Sequence, residues 1–155
     1  MGGSGKVLIH IYTDGGCSGN PGPGGWAFLI MRNEEEILVE QWGAEQDTTN
    51  NRMELMAVIS SLEALKNMED VPRQAALYTD SQYVQKGISE WIKNWKRNSW
   101  RTSDKKPVKN QDLWLRLDEL AAELTINWVW VKGHAGNIHN ERCDLLTQKA
   151  IASIK

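Results

Sequence analysis

Four acidic residues stand at positions where carboxylates could do chemistry together. Asp14 follows the apolar run 7–13, Asp80 ends a second apolar run, Glu54 lies one turn into a predicted helix, and Asp144 lies in the last predicted helix. Taken singly, each has an ordinary explanation, because Asp is common in turns and near helix starts. If they converge on one crevice, they repel one another, and a hard divalent cation relieves that repulsion. Carboxylates without His or Cys ligands favour Mg²⁺ or Mn²⁺ over zinc.

Apolar runs and helical periodicity predict the elements that position these carboxylates. We expect strands over 7–13, 26–31, 37–43, 74–79 and 125–131, of which the first three form an antiparallel meander. We expect helices over 51–67, 81–95 (one or two short helices interrupted near Gly87), 110–124 and 137–154. The connections are a glycine and proline turn region over 14–25, a basic loop over 96–109 and a glycine loop over 132–136. This order predicts a mixed sheet with helices on its faces.

Length and composition indicate one soluble domain. The chain has 155 residues, of which 41% are hydrophobic and 25% charged, enough for one core. Residues 1–5 are rich in Gly and Ser, and we interpret them as a flexible tail or a cloning remnant before a single domain over 6–155. No apolar run is long enough to cross a bilayer. Because Cys17 and Cys143 are far apart, we expect a reduced, cytoplasmic protein; a disulfide between them is the alternative.

Positive charge is concentrated in one stretch of a chain whose net charge is −2. Residues 33–70 carry ten acidic and two basic side chains, whereas residues 81–109 carry only two acidic side chains, Glu90 and Asp104. The eight basic side chains of that second stretch are Lys86, Lys93, Lys96, Arg97, Arg101, Lys105, Lys106 and Lys109. Such a block predicts a surface that binds a polyanion, and a solvated helix face is the alternative.

The eight tryptophans and two of the histidines are interpreted from their surroundings. The neighbouring lysines favour a surface position for Trp91, Trp95 and Trp100. We expect the remaining five in the core: Trp26, Trp42, Trp114, Trp128 and Trp130. His10 lies inside a predicted strand, in the core or on a sheet face, and His139 has no zinc-type spacing from His134.

Five stretches together resemble one known family. They are YTDGGCSGNPGPGGW (12–26), TTNNRMEL (48–55), YTDSQYV (78–84), VKGHAG (131–136) and NERCD (140–144). These stretches are similar to the successive motifs of type 1 ribonuclease H, stand in that family's order and span nearly the whole chain. The resemblance implies an α/β ribonuclease H-like fold, with a five-stranded mixed sheet (three antiparallel strands plus two parallel) flanked by helices. A basic protrusion around 90–109 implies the bacterial cellular type, since retroviral domains lack it.

The resemblance also implies the reaction. The family's members are endoribonucleases that cut the RNA strand of RNA/DNA hybrids and leave 5′-phosphate and 3′-hydroxyl ends. The implied metal ligands are Asp14, Glu54, Asp80 and Asp144, which would hold two Mg²⁺ ions, with Mn²⁺ as a substitute. One ion would generate the attacking hydroxide and the other would stabilise the leaving 3′ oxygen. His134 would assist proton transfer or product release from a mobile loop.

The same resemblance implies the substrate contacts. Asn20, Asn50 and Asn51 would read the RNA strand through the minor groove, including its 2′-hydroxyls. Thr49 and Asn110 would hold a DNA phosphate. The DNA-strand channel and the protrusion would be formed by Tyr83, Trp91, Trp95, Lys96, Arg97, Trp100 and Arg101. No membrane and no obligate protein partner are expected, and the family usually acts as a monomer.

Two departures from the family's pattern and two rival functions stay open at this stage. Some members carry an Arg seven residues before the motif Glu, where this chain has Asp47, so the phosphate pocket is weaker or built differently. The common continuation Glu-Leu-Ala-Arg after Asp144 is replaced by LLTQ over 145–148, which we interpret as altered helix packing. The rivals are a catalytically silent hybrid-binding module and a resolvase- or integrase-like DNA nuclease of the same superfamily.

Overall fold

The sheet has the predicted number of strands and the predicted strand directions. The computed structural model describes residues 8–33, 35–101, 106, 108–132 and 137–155. Its strands are β1 (Ile9–Cys17), β2 (Gly22–Arg32), β3 (Glu36–Thr48), β4 (Gln74–Thr79) and β5 (Thr125–Trp130). They form one five-stranded sheet in the order β3-β2-β1-β4-β5. The β1–β2 and β2–β3 pairs are antiparallel, and the β1–β4 and β4–β5 pairs are parallel, which confirms the predicted mixed sheet.

The predicted turn region over 14–25 is wrong at both ends. β1 continues through Cys17 and β2 already begins at Gly22, so Asp14 lies inside β1, paired with Ala27. Most of the glycines that suggested a turn are strand residues, with Gly15 opposite Trp26, and only Gly19, with a φ of 83°, lies in the short connection between β1 and β2. A Cβ at Gly15 would lie 2.5 Å from the backbone of Met53. Glycine is therefore required here for a close approach between a strand and a helix, not for a turn.

The helices flank this sheet. They are α1 (Asn50–Lys66), α2 (Gln82–Lys86), α3 (Ile92–Arg97), α4 (Gln111–Glu123) and α5 (Ile138–Ile154). The predicted interruption near Gly87 is instead a π-helical segment, Gly87–Trp91, that joins α2 to α3. A Cβ at Gly87 would lie 2.0 Å from the buried Trp114 ring. Gly87 thus lets a tryptophan of α4 pack directly against the backbone of the π-helical segment.

The two faces of the sheet bury different side chains. Ile9, Ile11 and Phe28 belong to the larger core, which α1 and α4 cover with apolar residues such as Leu62 and Leu117. Alternate residues of the same strands face α5 and form a smaller core. The strand residues are Tyr12, Ala27, Leu29 and Met31, and α5 contributes Cys143 and Leu146. The period of two along β1 therefore places Tyr12 and Asp14 on the α5 face of the sheet.

Most of the expected burial is confirmed, with one clear exception. Trp114 is fully buried, and Trp26, Trp128 and Trp130 pack against the larger core. Trp42 is 49% exposed, so its predicted core position is wrong; it lies on β3, an edge strand of the sheet. Both cysteines are free thiols, which excludes the alternative of a disulfide. Among the described helices, none combines the length and apolarity needed to cross a membrane.

Candidate active site

Two of the four carboxylates lie near the carboxyl end of the parallel strand β4. Tyr12 of β1 is aligned with Tyr78 of β4, the last pair of the parallel ladder. Asp14, inside β1, and Asp80, directly after β4, each stand two residues further along, so their backbones continue side by side. Both residues are partly buried. Parallel strand ends of this kind are where open α/β sheets bind their ligands.

Glu54 approaches this strand end from the first turns of α1. Thr49 begins the helix, and its hydroxyl accepts a hydrogen bond from the Arg52 N–H at 3.3 Å. The Ser81 hydroxyl donates a hydrogen bond to the Glu54 carboxylate. Burial raises the pKa of Glu54, the Ser81 hydrogen bond opposes that rise, and the charge of Asp80 adds to it. Glu54 and Asp80 are therefore a pair of mutually repelling carboxylates that is partly withdrawn from water.

Asp144 is carried by α5 on the same face as Asp14. The neighbouring Cys143 thiol donates to the Tyr12 carbonyl at 3.4 Å, which fixes this turn of α5 against β1. Burial raises the pKa of Cys143, and the nearby charge of Asp14 raises it further. Within the described residues, no three His, Cys, Asp or Glu side chains form a ready-made metal site. The structure thus brings Glu54 and Asp80 together and places Asp14 and Asp144 on adjoining elements.

The donor chemistry of this strand end fits a hard divalent cation. Burial and the charge of Asp80 raise the pKa of Glu54, so a nearby cation would favour its ionised form, and carboxylate oxygen is the ligand that Mg²⁺ prefers. Sequence reasoning missed Ser81, which both caps α2 through the Val84 N–H at 3.1 Å and holds Glu54. Its position directly after Asp80 and before a helix was the available signal. His134 lies outside the described residues.

The two residues expected to hold a phosphate are connected through Arg52. Its backbone N–H donates to Thr49, and its guanidinium donates to the Asn110 side-chain oxygen at 3.3 Å. The same guanidinium makes a two-point pair with Asp112 at 2.7 and 3.1 Å, joining the beginnings of α1 and α4. Asp47 is exposed at the end of β3. Arg52 thus connects Thr49, Asn110 and Asp112, although sequence reasoning gave it no role.

The three asparagines expected to contact RNA lie at the beginning of α1 and in the preceding β1–β2 connection. The Asn20 side-chain oxygen accepts a hydrogen bond from the Asn50 N–H at 3.2 Å. Asn50 and Asn51 occupy the first two positions of α1. All three side chains are exposed. They form one polar surface beside Glu54, which lies one turn further along the same helix.

The three tryptophans of the protrusion form a continuous cluster with Tyr83 of α2 and Trp114 of α4. We call this cluster the aromatic ladder: Tyr83, Trp91, Trp95, Trp100 and Trp114. Successive ring centroids are 5.6 Å apart for Tyr83–Trp91, 5.8 Å for Trp91–Trp95 and 6.0 Å for Trp95–Trp100. Trp114 lies beneath and donates its indole N–H to the Tyr83 hydroxyl at 3.0 Å. The three protrusion tryptophans are half-buried and pack against the larger core, so each keeps only part of its ring exposed.

Several cations of the protrusion are exposed to solvent near the aromatic ladder. Lys93, Lys96, Arg97 and Arg101 are all exposed. Lys96 forms an ion pair with Asp118 of α4 at 2.9 Å. The Asn110 amide nitrogen donates to the Tyr83 hydroxyl at 3.1 Å, which connects the ladder to the Thr49–Asn110 pair. The asparagine surface, the phosphate pair and the aromatic ladder therefore follow one another from the carboxylates outward.

A strand-end carboxylate site on a five-stranded sheet of this order, beside a basic aromatic surface, defines a nuclease-like fold. The ribonuclease H family model matches residues 6–152. Curated bacterial proteins named Ribonuclease H are similar over most of both chains. The protein of Methylobacillus flagellatus is 56% identical over 95% of this chain and 93% of its own. That of Phenylobacterium zucineum is 58% identical over 93% of this chain and 90% of its own.

Solved structures agree with this result. LC9-RNase H1, a type 1 ribonuclease H with the type 2 active-site motif, has a TM-score of 0.83 and 29% identity over 97% of this chain and 74% of its own. The N-terminal ribonuclease H domain of rv2228c from Mycobacterium tuberculosis has a TM-score of 0.75 and 26% identity over 96% of both chains. The chain belongs to the ribonuclease H family, and the predicted family, fold and nuclease activity are confirmed. The family depends on divalent metal ions.

Proposed function

We propose that this chain hydrolyses the RNA strand of RNA/DNA hybrids with two Mg²⁺ ions held by Asp14, Glu54, Asp80 and Asp144. The observation that carries the metal assignment is the pairing of Glu54 with Asp80 at the strand end that also bears Asp14. Family membership supports the hybrid substrate, since the curated relatives are ribonucleases H. Mn²⁺ can replace Mg²⁺ at such oxygen ligands.

The bound ions would supply an activated water and stabilise the leaving 3′ oxygen, giving 5′-phosphate and 3′-hydroxyl ends. The protein's own contribution is to hold the carboxylates ionised and correctly aimed. Ser81 donates to Glu54 and so lowers its pKa against the effect of burial. β1 and β4 fix the backbones of Asp14 and Asp80 side by side, and α5 brings Asp144 to the same face. His134 would assist proton transfer or product release.

Discrimination of RNA from DNA is assigned to the asparagine surface. The side chains of Asn20, Asn50 and Asn51 are exposed beside Glu54, and amides can both donate to and accept from a 2′-hydroxyl. Because the Asn50 N–H holds the Asn20 side-chain oxygen, the Asn20 amide nitrogen is oriented by the protein before substrate binds. This preorganisation favours minor-groove contacts that do not depend on base sequence.

The DNA strand is assigned to the Thr49–Asn110 pair and the aromatic ladder. Thr49 and Asn110 would hold a phosphate, and the Arg52 guanidinium, which is paired with Asp112, would orient the Asn110 side chain. Tyr83, Trp91, Trp95 and Trp100 would line the channel, and Lys96, Arg97 and Arg101 would attract the backbone. Such a surface tracks a polyanion without reading its sequence.

The remaining assignments concern the chain as a whole. We assign residues 6–155 to a single catalytic domain with its protrusion around 90–109, and residues 1–5 to a tail. Free thiols at Cys17 and Cys143 support a reducing, cytoplasmic location. The protein would act as a monomer on its hybrid substrate.

The test uses one labelled RNA strand presented alone, in duplex RNA and paired with DNA, each with Mg²⁺ or with chelator. A duplex DNA of the same sequence serves as the control for a DNA nuclease. We expect Mg²⁺-dependent cutting confined to the hybrid. Tight hybrid binding without cutting would instead support a silent binding module, and cutting of duplex DNA would support a resolvase- or integrase-like enzyme.

A further inference from the structure

Three aromatic side chains in contact with one another lie on the α5 face of the sheet, the face that also carries Asp14. The Tyr12 and Tyr78 rings are 4.8 Å apart and nearly parallel, at 9°. The Tyr12 ring also contacts the His139 ring, with centroids 4.9 Å apart. Tyr12 is 1% exposed, and His139 and Tyr78 are half-buried. We call these three residues the ring column.

Each ring of the column comes from a different element, and each stands within five residues of one of the proposed metal ligands. Tyr12 stands two residues before Asp14 on β1, and Tyr78 stands two residues before Asp80. His139 lies in the first turn of α5, five residues before Asp144. The column is thus a direct side-chain connection among the three segments that bear three of the four carboxylates.

Two further contacts tie the column to its surroundings. The Tyr12 carbonyl accepts the hydrogen bond from Cys143, the neighbour of Asp144, so α5 is held to β1 at both His139 and Cys143. At the other end, His10 and the Tyr78 hydroxyl share a hydrogen bond of 2.9 Å, and their rings are stacked at 5.7 Å. His10 therefore limits rotation of the Tyr78 ring from the side opposite to the carboxylates.

We infer that Tyr12, Tyr78 and His139 are positioning residues that set the spacing of Asp14, Asp80 and Asp144 for divalent metal binding. The inference rests on the proposed function, since it concerns the same metal site. Like-charged carboxylates tend to separate, and ring contacts among the three segments that bear them resist that separation. In this inference the column acts through the backbones of those three segments.

The test compares metal binding and cleavage in three variants. His139→Leu removes the ring contact with Tyr12, and Tyr78→Leu removes the ring contacts with both Tyr12 and His10; both variants keep apolar bulk. Tyr78→Phe keeps the ring contacts and removes the hydroxyl with its hydrogen bond to His10. Mn²⁺ binding to the substrate-free protein is measured by electron paramagnetic resonance of free Mn²⁺. We expect the Mn²⁺ dissociation constant to rise about threefold to tenfold, the scale of losing one or two aromatic contacts, with the larger rise for Tyr78→Leu. Tyr78→Phe should stay close to the wild type.

The Mg²⁺ dependence of cleavage provides a second readout. In the leucine variants, cleavage should fall at low Mg²⁺ and recover towards the wild-type rate at high Mg²⁺, with KM for the hybrid unchanged. Leu120→Ala, in the larger core on the opposite face, is the control for general destabilisation. It should lower Tm without changing Mn²⁺ affinity. Unchanged Mn²⁺ affinity in folded Tyr78→Leu and His139→Leu, or an equal loss in Leu120→Ala, would overturn the inference.

The wild-type measurement separates this inference from the proposed function. If the wild type neither binds Mn²⁺ at these carboxylates nor cuts the hybrid, the proposed metal site itself is wrong. If the wild type does both and the leucine variants match it, only the positioning role fails. Should Tyr78→Leu not fold, His139→Leu tests the same column from the first turn of α5.

Discussion

The carboxylate end of the sheet and the basic protrusion place charge in opposite ways. At the sheet end, Glu54 and Asp80 are partly buried, fixed by strand register and by Ser81, and close enough for their charges to oppose each other. On the protrusion, Arg97 and Arg101 are exposed around half-buried tryptophans. In the first region, the geometry holds two like charges close together, which is electrostatically unfavourable. In the second region, the like charges are exposed to water, which weakens their repulsion.

This difference shows which region should tolerate change. A buried pair of like charges keeps its function only if the geometry is kept, because the compensating cation binds a defined set of oxygens. An exposed set of cations binds a polyanion through its summed field, so each member contributes a small, salt-dependent share. Substitutions of similar size should therefore have very different effects in the two regions.

The largest effect is expected at Asp14. Asp14→Asn removes one ligand charge with little change in shape, and we expect the cleavage rate to fall by about three orders of magnitude or more, the scale of several kcal/mol of metal-dependent stabilisation. Hybrid binding, measured by fluorescence anisotropy, should be largely retained. Cleavage at the wild-type rate would show that Asp14 is not a metal ligand. The carboxylate end of the sheet would then tolerate substitution as well as the protrusion does.

Sequence reasoning predicted the elements that carry the candidate site. The bounds of β4 were predicted from its apolar run, and the helix that carries Glu54 was predicted from its periodicity. These are local signals, and the family motifs added the roles. Ser81 and Arg52 were missed as functional residues because their partners, Glu54 and Asn110, are 27 and 58 residues away.

The errors in the fold have the same origin. Glycines at 15 and 16 indicated a turn, yet β2 pairs with them and α1 packs against Gly15. Gly87 indicated an interruption, yet the Trp114 ring of α4 occupies the space that a Cβ would need, and the chain continues as a π-helical segment. Trp42 was placed in the core because tryptophan usually is, whereas the edge position of β3 leaves it half-exposed.

A smaller effect is expected for Ser81→Ala, which tests whether the carboxylate pair needs its hydrogen bond. Removing the donor lets the pKa of Glu54 rise further, because that bond is what lowers it. Since the ionised carboxylate is required, the acid limb of the pH–rate profile should move to higher pH, and kcat should fall about tenfold to a hundredfold. Loss of the α2 cap should also cost about 1 kcal/mol of stability.

Ser81→Thr keeps the hydroxyl and is the matched rescue. It should restore most of kcat and return the acid limb of the profile towards its wild-type position. A Ser81→Ala enzyme with a wild-type pH profile and a lowered Tm would mean that Ser81 serves only as the cap of α2, and that Glu54 is held by other contacts.

Gly87→Ala tests how the protrusion is attached to the core. Alanine normally favours a helix, but here its Cβ would lie 2.0 Å from the fully buried Trp114 ring. We expect a destabilisation of about 1–3 kcal/mol from overpacking, measured by chemical denaturation. Ser89→Ala, at an exposed position in the same π-helical segment, should change stability by less than about 0.5 kcal/mol. Equal effects of the two substitutions would mean that the ladder is not packed through Gly87.

The smallest effects are expected for the cations, and they differ among themselves. Arg97→Gln with Arg101→Gln should raise KM a few-fold and reduce the slope of log affinity against log salt by up to about two units. Lys96→Gln should reduce the slope less, because Lys96 already faces Asp118 at 2.9 Å and gains less from a phosphate. Combining Lys96→Gln with Asp118→Asn removes both charges of the pair, so it should return the affinity towards that of the wild type. An unchanged salt slope in the arginine variant would mean that the protrusion is a solvated face that does not bind the substrate. The two regions would then not differ in the way in which they bind the hybrid.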